Sequence, residues 1–103
     1  MEMDVICNAL GNKTRYQLIK ALKEKSINTC CDRIEFVENG VSVGDVVKFT
    51  GLAQSTVSQH LAVLVKSNLI RKEKRELWSC YFLNYSVVEE FLKKLNQDLI
   101  PEK

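Results

Sequence analysis

The chain has 103 residues, 46% of them hydrophobic, which is enough for one modest core and too little for a second, so 1–103 reads as a single domain. Fifteen Lys/Arg against thirteen Asp/Glu leave a net charge of only +2, but the stretch from Ala53 to Glu76 holds five basic and two acidic groups and carries the positive excess. No apolar run approaches the roughly 20 residues that span a bilayer, and the acidic start Met1-Glu2-Met3-Asp4 is unlike an export signal, so a cytoplasmic protein without a membrane partner is expected.

In chain order, Met3, Ile6, Cys7 and Leu10 recur at helical spacing, which predicts a short first helix ending at Gly11, with Cys7 on its apolar stripe. Asn12 is placed to cap a second helix with apolar positions Tyr16, Leu18, Ile19 and Leu22 and the charged finish Lys23-Glu24-Lys25. The segment 26–40 fits either a helical turn or a strand running to an Asn39-Gly40 turn, and stays open. Val43, Val46, Val47 and Leu52 mark a compact third helix with a Thr50-Gly51 break behind it. A fourth begins near Gln54, turns Val57, Leu61 and Leu64 to one side, and stops around Ser67-Asn68. Leu69 to Glu73 and Leu77 to Leu83 alternate like strands about a basic tip, Lys74-Arg75-Glu76. Ser86-Val87-Val88-Glu89 matches a capping box ahead of a last helix carrying Phe91, Leu92, Leu95 and Leu99, closed by Pro101.

Two short helices joined by a tight glycine-containing turn, the second polar at its start, form a helix-turn-helix pattern. Val57 and Leu61 face inward, which leaves Gln54, Ser55, Ser58 and Gln59 facing out, with Thr56 and His60 in the same turn. Short hydrogen-bonding side chains at a helix start suit the major groove of double-stranded DNA, where they reach base edges or phosphates. A polar face alone is ordinary for a surface helix. The hairpin that follows adds Arg71, Lys72, Lys74 and Arg75 beside it, placed to meet the phosphate backbone or the adjacent minor groove.

The residues Ala9-Leu10-Gly11-Asn12-Lys13-Thr14-Arg15, the run Gln54-Ser55-Thr56-Val57-Ser58-Gln59-His60-Leu61, and Asn68-Leu69-Ile70-Arg71 followed by Trp78-Ser79-Cys80-Tyr81 resemble the ArsR/SmtB repressors. The resemblance covers about 10 to 83, apart from 26–40. It implies a mostly α fold with a small β-hairpin wing, a winged helix-turn-helix. It also implies a homodimer formed through the first and last helices, a palindromic operator, and release by a small inducer. Ser42-Val43-Gly44 stands where many relatives carry a Cys-Val-Cys metal site, and the last helix offers Glu89, Glu90 and Asp98 but no His, so no metal and no cofactor are expected. Ala53 replaces the family's usual Ser at the helix cap, at a cost of about 1 kcal/mol.

Cys30 and Cys31 form a vicinal thiol pair suited to a thiophilic metalloid or to oxidation, with Cys7 or Cys80 as a further thiol. The plainer reading is that cysteine serves as a small buried hydrophobe. A thiol enzyme would want Cys-x-x-Cys at a helix start or Cys beside His, and neither spacing occurs, so no enzyme is expected. A winged helix used for protein contacts is the alternative to a DNA binder.

Overall fold

Helix α1 spans Met3–Leu10 and is followed at once by α2, Lys13–Glu24. The corner forms because Gly11 donates its N–H to Cys7 O at 2.9 Å while Asn12 Oδ1 accepts the Arg15 N–H at 3.2 Å, so one chain end is closed and the next is capped within two residues. The computed structural model describes residues 1–24, 27, 40–75 and 78–102, with Arg75 and Trp78 described by backbone alone. The segment left open between helix and strand falls almost wholly outside these residues, as do Cys30 and Cys31.

Helices α3, Val43–Thr50, and α4, Gln54–Lys66, make the helix-turn-helix. Ser42 starts α3 with a full capping box: its Oγ accepts the Asp45 N–H at 3.2 Å, and Asp45 Oδ2 accepts the Ser42 N–H at 2.9 Å. The turn is held from inside. Thr50 Oγ1 donates to Val46 O at 2.9 Å and accepts the Leu52 N–H at 3.2 Å, and Gly51 takes the left-handed conformation, φ 71°, that a Cβ disfavours.

Strands β1, Ile70–Arg75, and β2, Trp78–Leu83, pair antiparallel from Ile70↔Leu83 to Arg75↔Trp78. Lys74 and Arg75 are therefore strand residues, and the cationic segment runs along β1 rather than sitting at the tip. Val41 adds a single bridge to β2, exchanging both backbone hydrogen bonds with Tyr81 at 2.8 and 3.0 Å. Gly40, just before it, is buried so closely that a Cβ there would lie 2.6 Å from the Phe82 ring.

The core runs through every element: Ile6 and Ala9, Leu18 and Ala21, Val46, then Val57, Leu61 and Leu64, then Leu69, Ile70 and Tyr81. Tyr16 is not part of it and stands 58% exposed, and Cys7 is exposed rather than core. Cys80 is buried in β2. The last helix, α5, spans Tyr85–Leu99 and starts at Asn84 instead of at the Ser86 capping box. Asn84 does not cap it, because its side chain is engaged elsewhere: Nδ2 donates to Asn68 O at 2.8 Å and Oδ1 accepts from Arg71 at 3.4 Å. Of its fifteen residues only Phe91 is buried. No helix is long and apolar enough to cross a membrane, among the described residues.

Helix caps generate a pair of opposed predictions. Ser42→Ala removes the α3 cap and is expected to lower stability by about 1 kcal/mol, whereas Ala53→Ser supplies a side-chain acceptor at the N-cap of α4, which has none, and is expected to raise it by up to about 1 kcal/mol. Urea unfolding midpoints at constant m-value check both signs.

Candidate nucleic-acid interface

The face presented by α4 follows from its buried stripe. Val57 and Leu64 are 0% exposed and Leu61 is 2% exposed, so the residues between them on the other side are turned out, and Gln54, Ser55, Ser58 and Gln59 are all exposed. Thr56 is half-buried. Ala53 is extended at the N-cap, φ −62° and ψ 147°, and offers no side-chain acceptor to the first-turn amides, which leaves that end able to receive an anion.

His60 is half-buried. Arg15 reaches from α2 to it with Nη1 3.3 Å from His60 Nδ1, while its Nε donates to Ala9 O at 2.8 Å and its Nη2 to Asn8 O at 3.1 Å. Guanidinium only donates, so His60 Nδ1 accepts and is unprotonated in this contact. One arginine thus closes the last carbonyls of α1 and ties that corner to the middle of α4. Burial, and then the charge of Arg15, push the His60 imidazole below its ordinary pKa.

The four cationic hairpin residues do not form one set. Arg71 is held within the chain: its Nε pairs with Glu73 Oε1 at 3.2 Å, and its guanidinium lies over the Phe82 ring, 4.7 Å from the centroid. Lys72 and Lys74 alternate to the other side of β1 and are exposed. Lys72 Nζ stands 6.0 Å above the Tyr81 ring. Arg75 ends β1 opposite Trp78.

Packing brings Ser58 of α4 and Lys72 of β1 into the lining of a single groove, whose wall is completed by residues near the start of α3. The same groove gathers Lys48, Lys66 and Ser79, none of which the sequence singles out. Lys66 carries part of the charge excess between Ala53 and Glu76, but Lys48 belongs to the charge-balanced half, and only the packing of α3 on α4 joins the two. Among the described residues, no three His, Cys, Asp or Glu side chains gather as a metal-binding group.

The sequence profile of bacterial regulatory proteins of the arsR family matches residues 38–72, which include the whole helix-turn-helix. A putative arsenical resistance operon repressor of Halobacterium salinarum is 33% identical over 76 residues, covering 74% of this chain and 54% of the relative, so the chain spans about half of that protein's length. The arsenical resistance operon repressor of Bacillus subtilis is 30% identical over 86 residues, 84% of this chain and 70% of the relative. Among solved structures, HlyU from Vibrio cholerae superposes with a TM-score of 0.62 at 27% identity, covering 94% of this chain and 90% of its own. A possible transcriptional regulator for arsenical resistance superposes at 0.68 with 18% identity over 91% and 83%, a likeness of fold.

The Arg15 contact sets a pH expectation. His60 binds its proton more weakly folded than unfolded, so stability is fully present above the unfolded pKa, about 6.5, and falls as pH drops below it toward the lowered folded value. Replacing Arg15 with Gln is expected to raise the His60 pKa, read from the imidazole proton shifts in an NMR titration; no movement would show that the contact is absent in solution.

Proposed function

As the chain belongs to the ArsR family of bacterial regulatory proteins, whose members are DNA-binding transcriptional regulators and not enzymes, we propose that it is a sequence-specific repressor. In this reading a homodimer grips a palindromic operator and releases it when an inducer binds or when the Cys30 and Cys31 thiols are modified. The observation that carries the reading is the shared groove: Ser58 on the exposed polar row of α4 and Lys72 on the hairpin line one continuous surface.

The roles divide by chemistry. Gln54, Ser55, Ser58 and Gln59 enter the major groove and read base edges, supported by their exposure at the uncapped start of α4. Lys72 and Lys74, with Arg75, meet phosphates, which fixes register without reading sequence. Thr56, half-buried, contacts the backbone at the rim. Arg71 and His60 act from behind, since the first is held by Glu73 and Asn84 and the second by Arg15.

Dimerisation is supported by what α5 leaves uncovered. Leu92, Leu99 and Ile100 are 58%, 71% and 58% exposed, and Met1 beside α1 is 53% exposed, large apolar side chains of the kind that an interface covers. An isologous contact through the terminal helices covers such a face twice over and sets the two α4 helices one duplex turn apart, about 34 Å, or a multiple of it.

Binding to duplexes selected from a random pool, followed by fluorescence anisotropy at several salt concentrations, tests the reading. Lys74→Gln is expected to weaken every duplex alike and to reduce the salt slope by about 0.9, as loss of one phosphate contact requires. Gln54→Ala or Ser55→Ala instead shifts the preference among duplexes, by roughly 1–3 kcal/mol at the base contacted. A chain with no salt-dependent affinity for any duplex is a protein-contact module. A Leu92→Glu, Leu99→Glu double variant is expected to sediment as a monomer with unchanged helicity and to lose operator affinity; a dimer of wild-type strength would place the interface elsewhere.

A further inference from the structure

The groove between α3, α4 and the hairpin has a volume of about 900 Å³, which is the size of a small-molecule site, roughly 300–1,000 Å³. Its apolar lining is made by Val43, Ala62, Val65 and Tyr81. Three lysines from three different elements also line it, Lys48 of α3, Lys66 of α4 and Lys72 of β1. Among the described residues, no carboxylate pairs with any of the three. Asp45, the acidic residue of the lining, has its Oδ2 held by the Ser42 N–H in the capping box.

Apolar side chains and three lysines against a single carboxylate in the described lining fit a ligand with both an apolar body and a negative charge. We infer that this groove binds a small organic anion with an apolar body, of the class of aromatic carboxylates and sulfonates, and that this ligand is the inducer. The inference rests on the repressor reading for its regulatory half and on the groove alone for its binding half. The DNA backbone accounts for Ser58 and Lys72 but not for the rest of the lining. Phosphodiesters bring nothing to cover Val43, Val65 and Tyr81, and Lys66 lies eight residues beyond Ser58, about 12 Å further along α4, away from the polar end that meets the duplex. Ser58 and Lys72 line the same groove as Lys48 and Lys66, and both belong to the DNA-facing set. Ligand and operator therefore compete for the same side chains, and each must weaken the other by the same factor.

The probe is 8-anilinonaphthalene-1-sulfonate, followed by its fluorescence, with N-phenyl-1-naphthylamine as the same body lacking the sulfonate. The anionic probe is expected to bind one per chain and more tightly than the neutral one. A Lys48→Gln, Lys66→Gln double variant is expected to weaken it about fivefold, the scale of two exposed charge pairs, while leaving the neutral probe and the far-ultraviolet circular dichroism unchanged. Saturating operator duplex is expected to lower the anion's affinity, and the anion to lower the duplex's equally. Unchanged anionic-probe binding in the double variant overturns the site, because the probe is then held elsewhere, such as on the exposed leucines of α5. Independent binding of probe and duplex overturns the inducer role. A wild-type chain that ignores duplex altogether overturns the repressor reading, and the lysine dependence of the probe still reads the groove by itself.

Discussion

Val57, Leu61 and Leu64 recur every three or four residues along α4 and are buried almost completely, so their burial fixes the rotation of that helix about its own axis. A turn of about 100°, one residue's worth, would bring Ser58 toward the core and carry Val57 to the surface. That exchange would bury a hydroxyl in place of an apolar side chain and forfeit hydrophobic burial worth roughly 1.5–3 kcal/mol. The polar row is thus held outward by what lies behind it. Gln54, Ser55, Ser58 and Gln59 need no structural contacts of their own, and they are left available for a partner.

Much of this was legible in the sequence because it rests on periodicity and local capping. The buried stripe of α4, the Asn12 cap and the Thr50-Gly51 break are all short-range features, and each is realised where its residues predict. The failures share a cause. The Ser86-Val87-Val88-Glu89 capping box has the right spacing, yet Asn84 begins α5, because a tertiary link from Asn84 to Asn68 determines where the chain leaves the sheet. Conversely, the Ser42 and Asp45 box that does form is a three-residue spacing written in the sequence itself. Lys74 and Arg75 resembled a turn because charged residues favour turns, but strand pairing continues to Arg75. The groove lysines could not be seen at all, since Lys48 and Lys66 meet only through the packing of two helices.

The contact between Arg15 and His60 shows why residue type is a weak guide to role. An arginine and a histidine in a nucleic-acid-binding chain invite assignment to the nucleic acid. Here the arginine satisfies two carbonyls at the end of α1 and donates to the imidazole, so both are engaged before any duplex arrives. The same holds for Arg71, which is stacked over Phe82 and paired with Glu73. Cations that fasten the scaffold are distinguished from the others by their neighbours, and Lys72 and Lys74 differ from Arg71 mainly by which side of one strand they occupy.

Asn84 also joins the two ends of the hairpin. It binds Asn68 O through its side chain and Leu69 O through its backbone N–H, sixteen and fifteen residues back, so the neck between β1 and β2 is knotted where the pair of strands begins. Bending at that base is opposed by these bonds, and the two strands pivot as a stiff lever rather than as a floppy arm. The knot sits at the root of α5, so a displacement of that helix is delivered to the far end of the hairpin as a change of angle.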